Sequence, residues 1–204
     1  MTDNEFFAKV VLLGESGVGK TSILNRYISN IFVENQPQTV GATFQKKVVE
    51  HEGQKVSLSI WDTAGQEVYR NLTPMYYRDA QMALIVFSVN DKISFDAVKE
   101  WANQVKSSSP EVIMLICGNK NDIFDRAVSY DDGLKIAEDL ELPYIETSAE
   151  NGNGIDNAFE LLVDKYLSKT SLHAKNQLKR VNTVDIDTEE NQQESKNKKK
   201  KCCN

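Results

Sequence analysis

Cysteine is scarce in this 204-residue chain: there are 3, an odd number, with no C-x-x-C pair. Neither a disulfide framework nor a zinc site is expected. No run of 18 apolar residues occurs, which excludes a membrane-spanning helix. Proline (4) and glycine (10) are too few for a collagen-like or low-complexity chain. Basic charge is not in excess, 24 Lys+Arg standing against 30 Asp+Glu for a net of −6. That balance argues against a protein whose main task is gripping nucleic-acid phosphates. The opening MTDNEFFAKV carries acids where a secretory leader carries bases, and no small-residue cleavage site follows. A cytosolic protein is expected. What is present, 40% hydrophobic and 26% charged residues, is an ordinary globular composition. The length suits one domain with a tail.

Charge divides the chain. The last 33 residues hold 8 basic and 5 acidic side chains, with five lysines between Lys196 and Lys201, whereas the rest is net acidic. This end is rich in Asn, Gln, Glu and Lys and has few aliphatics, so it buries too little to offset its chain entropy. The expected organisation is a folded domain over 1–170 and a disordered tail over 171–204.

Upstream, short apolar runs alternate with helical patterns. Residues 8–13, 56–62, 82–89 and 112–119 read as strands buried on both faces, and 142–148 as a weaker one. Glu52-Gly53 sits between two further runs as a hairpin turn. Helices are expected over 20–29, 93–107, 131–141 and 155–168, and Cys117 lies inside a buried strand. Such alternation implies an α/β fold, a mostly parallel sheet covered on both sides, with ligands at the carboxyl ends of the strands.

Four loops after strands carry chemistry. Gly14-Glu15-Ser16-Gly17-Val18-Gly19-Lys20-Thr21 matches G-x-x-x-x-G-K-[ST], between a strand and a helix. Backbone N–H groups from Ser16 to Ser22, through Gly17, Val18 and Gly19, would surround phosphates at a positive helix end. Lys20 would reach the β- and γ-phosphates, and the Thr21 hydroxyl would ligate Mg²⁺. Asn119-Lys120-Asn121-Asp122 follows another strand. Its Asp122 carboxylate suits the N1–H and N2–H₂ donors of guanine, which adenine lacks; such sites reject the wrong base by about 10⁴–10⁵. Thr147-Ser148-Ala149 follows one strand–helix unit later, and the short Ala149 side chain lets a backbone N–H approach the base. Asp62-Thr63-Ala64-Gly65-Gln66 closes a third strand. There Asp62 would hold Mg²⁺ through water, Gly65 would offer its N–H to the γ-phosphate, and Gln66 would orient the attacking water.

In that order, these motifs resemble the Ras superfamily of small GTPases over about residues 6–168. Trp61-Asp-Thr-Ala-Gly-Gln-Glu67 and Met75-Tyr-Tyr-Arg78 are most similar to its Rab branch. Thr39-Val-Gly-Ala-Thr-Phe44 and Leu72-Thr-Pro-Met-Tyr-Tyr-Arg look most like the endosomal Rab subgroup. The resemblance implies a six-stranded, mostly parallel sheet with one antiparallel edge strand, five helices and two nucleotide-sensitive loops. It also implies a magnesium-dependent switch that binds GTP and GDP, hydrolyses GTP slowly, and recruits effectors to membranes in vesicular, endosomal traffic. By the same resemblance Thr39 reaches Mg²⁺ and the γ-phosphate, and Phe32 stacks beside guanine, although an exposed loop anchor explains Phe32 equally well. Phe44, Trp61 and Tyr76 display the nucleotide state, although core packing explains an aromatic such as Trp61 equally well. Implied partners are effectors, an exchange factor, a GTPase-activating protein, a prenyl-escort protein and a GDP-dissociation inhibitor.

Several positions depart from the family pattern. Val68 replaces a basic residue, Asp79 a glycine, Ser88 an aspartate, and Glu150 the lysine whose stem covers the base. No arginine lies in the phosphate loop or the first switch, so an activating protein is expected to supply one. The ending Lys198-Lys-Lys-Lys-Cys202-Cys203-Asn204 is not C-a-a-X but looks like the doubly geranylgeranylated Rab C-C-x terminus. Two lipid chains anchor stably, and neighbouring lysines add about 1 kcal/mol each near an anionic leaflet. A scaffold that holds GTP without turnover is a competing reading. A P-loop ATPase or kinase is disfavoured by Asn119-Lys120-Asp122.

Overall fold

The structure is a computed structural model and describes residues 5–64 and 73–172. Its strands are β1 (Glu5–Leu13), β2 (Ala42–His51), β3 (Gln54–Thr63), β4 (Met82–Ser88), β5 (Ile113–Asn119) and β6 (Tyr144–Glu146). They form one sheet in the order β2-β3-β1-β4-β5-β6. Only β2 and β3 pair antiparallel; the remaining neighbours are parallel. The two-residue turn predicted between β2 and β3 is present. Glu52 and Gly53 take φ of 50° and 74°, the left-handed pair that a tight hairpin with native twist requires.

Helices α1 (Lys20–Ser29), α2 (Thr73–Tyr77), α3 (Lys92–Asp96), α4 (Val98–Ser108) and α5 (Tyr130–Leu140) are joined by α6 over 155–172. The expected helix over 93–107 is divided at Ala97 into α3 and α4, with Ala97 itself in the right-handed region. Counting that pair as one run gives five helical runs among the described residues, the number the resemblance implies, of which four match the ranges expected from the sequence pattern. α2 was not expected, and α6 runs four residues beyond the expected end. Residues 1–166 form one unit and 167–204 a second, of which the described part continues α6. The 171–204 tail beyond residue 172, with Cys202 and Cys203, and Gly65, Gln66 and Val68 lie outside the described residues.

Every residue of β4 is buried, because parallel neighbours and packed helices cover it on all sides. One face of the sheet presents Val11, Leu13, Ile85 and Phe87 to Phe95, Trp101, Val105 and Ala137 of the helices. By strand alternation Val10, Leu12, Leu58 and Leu84 lie on the opposite face, and all are fully buried. On α1, Tyr27 stacks on Phe159 of α6 at 3.7 Å between ring centroids. Helix starts are fixed locally. Asp91 caps α3 through the Ile93 and Ser94 N–H groups, and Ser129 with Asp132 forms a capping box at α5. Cys117 is buried and free, as its strand position predicts. The consequence for function is that the carboxyl ends of β1, β3, β4 and β5 open on one edge, with the chain's polar loops above them.

Candidate functional site

Lys20 is the first residue of α1, and its side chain turns back beneath the loop that precedes it. Its Nζ donates to the Gly14 and Glu15 carbonyls at 2.7 Å each. The backbone reaches this position because Gly14 and Gly19 take φ of 139° and 98°, conformations other residues rarely adopt. There is also no room for a side chain. A Cβ on Gly14 would lie 2.0 Å from the Val86 carbonyl oxygen, and one on Gly19 2.3 Å from Asn119 Nδ2. Burial lowers the Lys20 pKa to about 8, opposed by the charges of Asp62 and Glu15. The ammonium stays protonated at neutral pH, a buried cation held against two carbonyls of the loop.

Three oxygens meet beside it. Thr21 Oγ1 donates to Asp62 Oδ2 at 2.6 Å and lies 2.7 Å from Thr39 Oγ1. Thr39 Oγ1 reaches the same carboxylate oxygen at 3.4 Å. β3 delivers Asp62, and α1 delivers Thr21. The loop before β2 brings Thr39, fixed nearby where Ala64 N–H donates to the Gly41 carbonyl at 2.8 Å. Burial raises the Asp62 pKa, opposed by the Thr21 bond, the Lys20 charge and the Thr39 bond. Its second oxygen, Oδ1, is buried with no hydrogen-bond partner. A buried carboxylate oxygen left without a donor, next to two hydroxyls, is a donor set of the hard-oxygen kind that Mg²⁺ takes alongside phosphates. Among the described residues no group of three or more His, Cys, Asp or Glu could hold a metal.

Asn119 connects the two ends of the pocket. Its Nδ2 donates to the Val18 carbonyl at 2.8 Å, tying β5 to the phosphate loop. Its Oδ1 accepts from Thr147 Oγ1 at 3.1 Å and from Ala149 N–H at 3.3 Å. Lys120 Nζ donates to the Gly17 carbonyl at 2.8 Å, lying across the same loop. The cleft between these groups is lined by Ser16, Gly17, Gly19, Lys20, Thr21, Ser22, Phe32, Thr39, Asn119, Lys120, Asp122, Ala149 and Glu150. Asp122 and Glu150 are exposed at its edge.

Val18 and Ser148 are not among the residues that line the cleft. The Val18 side chain is fully buried in the core and offers the site only its backbone. Ser148 is fully buried, and its Oγ accepts from Asn151 N–H at 3.1 Å. Glu34, Gln36, Pro37, Gln38, Thr63 and Ile123 also line the cleft and were missed. Thr63 lies within the Asp62–Gln66 motif, and Gln36-Pro37-Gln38 stand in the polar loop before Thr39, which has no periodicity to mark them.

Phe44, Trp61 and Tyr76 form a continuous aromatic row. Centroids lie 5.4 Å apart for Phe44–Trp61 and 6.3 Å for Trp61–Tyr76. Phe44 is half exposed, while Trp61 is partly buried against the core and carries the Lys9 ammonium 5.1 Å above its ring. Trp61 therefore serves both packing and surface. Asp79, where the family pattern has glycine, takes a φ of 58°, which explains the usual residue there.

The description "Ras family" fits residues 9–168 of the chain. It is 41% identical to the Ras-related protein Rab-18 of Lymnaea stagnalis, over 80% of this chain and 82% of that protein. It is 39% identical to the Ras-related protein RIC1 of Oryza sativa subsp. japonica, over 76% and 78%. To the Ras-related protein RabC of Dictyostelium discoideum it is 37% identical, over 86% and 93%.

Proposed function

The chain belongs to the Ras family as a Rab-branch small GTPase, a hydrolase acting on GTP, and from that premise we propose how its residues divide the work of a switch in vesicular traffic. Lys20 and the backbone of residues 16–22 hold the β- and γ-phosphates. Asp122 accepts from the guanine N1–H and N2–H₂, the Ala149 loop covers the ring, and Phe32 closes one side. Thr21, Thr39 and Asp62 would hold Mg²⁺, which when bound neutralises the phosphate charge and steadies the triphosphate. Gln66 orients the attacking water, and the Gly65 N–H marks the γ-phosphate. The observation that carries this reading is the Thr21–Asp62–Thr39 convergence, at 2.6 and 2.7 Å, beside the buried Lys20.

Thr39 sits between α1 and β2, and Asp62 at the end of β3. The γ-phosphate and Mg²⁺ would tie Thr39 and the Gly65 N–H that follows β3 to one ligand, and hydrolysis would remove that tie beside the Phe44–Trp61–Tyr76 row. That coupling turns hydrolysis into a change of displayed surface. Effectors would read that surface in the GTP state, and an exchange factor and a GTPase-activating protein would set its lifetime. No arginine lies in the phosphate loop or the first switch. Single-turnover hydrolysis without a partner is expected below about 10⁻¹ s⁻¹ and is accelerated by an activating domain. Faster unaided turnover contradicts the assignment.

Folded residues 1–170 would act as the switch and residues 171–204 as its tether. Geranylgeranyl groups on Cys202 and Cys203, with the lysines before them, would hold the tail on the cytosolic face of a membrane. A prenyl-escort protein and a GDP-dissociation inhibitor would handle that lipid. The runs Thr39–Phe44 and Leu72–Arg78 support an endosomal address. Cys202→Ser/Cys203→Ser chain is expected to leave the membrane fraction; retention at wild-type level contradicts the tether.

A further inference from the structure

The helix that opens the phosphate loop also reaches the opposite end of the pocket. Arg26 on α1 donates from Nε to the Ala149 carbonyl at 2.9 Å and from a terminal nitrogen to the Glu150 carbonyl. The other terminal nitrogen donates to Asn30, to its carbonyl at 3.1 Å and its Oδ1 at 2.9 Å. The guanidinium thus spans two successive carbonyls of one loop while it is braced on the end of its own helix. Ala149 is held from both sides, its N–H by Asn119 and its carbonyl by Arg26. Arg26 is not among the residues lining the cleft.

We propose that Arg26 is a positioning residue for the purine ring, holding the 149–150 loop at the distance guanine requires and so setting nucleotide residence time and base discrimination. The proposal rests on the reading of Asp122 and Ala149 as the base-binding end. A planar fork suits two fixed carbonyls, whereas a lysine ammonium is a single point donor. The bond to residue 150 uses its backbone, so the acid that replaces the family's lysine does not disturb the clamp. α1 begins at Lys20 and carries Arg26, which makes the phosphate and base ends of the site one rigid element.

The full-length chain with Arg26→Lys or Arg26→Gln, loaded with fluorescent GDP in excess Mg²⁺, tests this. Release is expected to quicken about tenfold with lysine and at least as much with glutamine, since two charge-assisted hydrogen bonds are weakened or lost. The preference for GDP over 2-aminopurine riboside diphosphate, which keeps the N2 amine and lacks both O6 and the N1–H, should fall in both variants. Single-turnover hydrolysis of preloaded GTP should move far less than release, because Lys20, Thr39 and Asp62 lie at the other end. Asn30→Ala keeps both loop bonds and should release GDP within about twofold of wild type. Release unchanged in both Arg26 variants overturns the proposal, as does quickened release with base preference intact. An Asn30→Ala effect as large as that of Arg26→Lys also overturns it, by assigning the effect to the helix end. Wild-type chain that retains no guanine nucleotide would overturn the pocket reading itself. Tight retention by wild type and variants alike would overturn this inference alone.

Discussion

Replacing Asn119 by alanine strips one buried side chain from three partners at once. The Val18 carbonyl loses its donor at 2.8 Å, while the Thr147 hydroxyl and the Ala149 N–H lose their acceptor at 3.1 and 3.3 Å. A net hydrogen bond is worth about 1 kcal/mol, and a buried group left unpaired costs about 1–3 kcal/mol. Thr147 keeps a second contact with Cys117 Sγ at 3.2 Å, so its share is at the low end. The sum is roughly 3–5 kcal/mol, a large part of the 5–15 kcal/mol typical of a whole domain. Because the same side chain joins both ends of the nucleotide cleft, about 3 kcal/mol of it should appear as GDP release faster by roughly 100-fold. Urea denaturation at fixed excess GDP and Mg²⁺, with stopped-flow release of fluorescent GDP, measures both quantities. Thr147→Val isolates one bond. The double variant should fall short of the sum of the singles by about 1 kcal/mol. Asn119→Ala chain that loses less than about 1 kcal/mol and releases GDP within about threefold of wild type would refute the bridging role.

Asp62→Ala should speed GDP release in Mg²⁺ and reduce the further acceleration by EDTA to less than about twofold, since the buried carboxylate no longer steadies the ion; an undiminished EDTA response counts against the metal assignment. The Cys117 thiol, pushed up to about 12 by burial, should resist a disulfide reagent at pH 8 in folded Cys202→Ser/Cys203→Ser chain and react only on unfolding; stoichiometric reaction of the folded chain would contradict this. Asp79 is exposed and holds a φ of 58°, so Asp79→Gly should relieve about 0.5–1 kcal/mol and raise the melting temperature by roughly 1–4 °C. A lower melting temperature would show that the strain argument fails there.

How much of this was legible from residues depends on how tightly chemistry fixes spacing. The phosphate loop, the hairpin at Glu52-Gly53 and the buried strands were readable, because glycine conformations and apolar runs leave few alternatives. Thr39 was not. It stands in a polar loop without periodicity, and only resemblance singled it out before the structure placed its hydroxyl 2.7 Å from Thr21. α2 has five residues, too few to show a helical period. The division at Ala97 carries neither glycine nor proline to announce it. Ser148 was singled out by its place in the motif, which does not announce that its hydroxyl accepts from the Asn151 N–H. Asn119 was assigned to the base loop, whereas its hydrogen bonds join three loops that lie far apart in the chain. Arg26 has the same character: its partners are 123 and 124 positions away, and nothing in the local pattern points to them.

The account stands on a single cleft whose one end holds phosphate and whose other end recognises guanine. Titrating GTP and ATP separately against bound fluorescent GDP, in Mg²⁺ on the full-length chain, measures this directly. GTP should displace the probe at concentrations about 10⁴-fold or more below those of ATP. Displacement by the two nucleotides at comparable concentrations would contradict it.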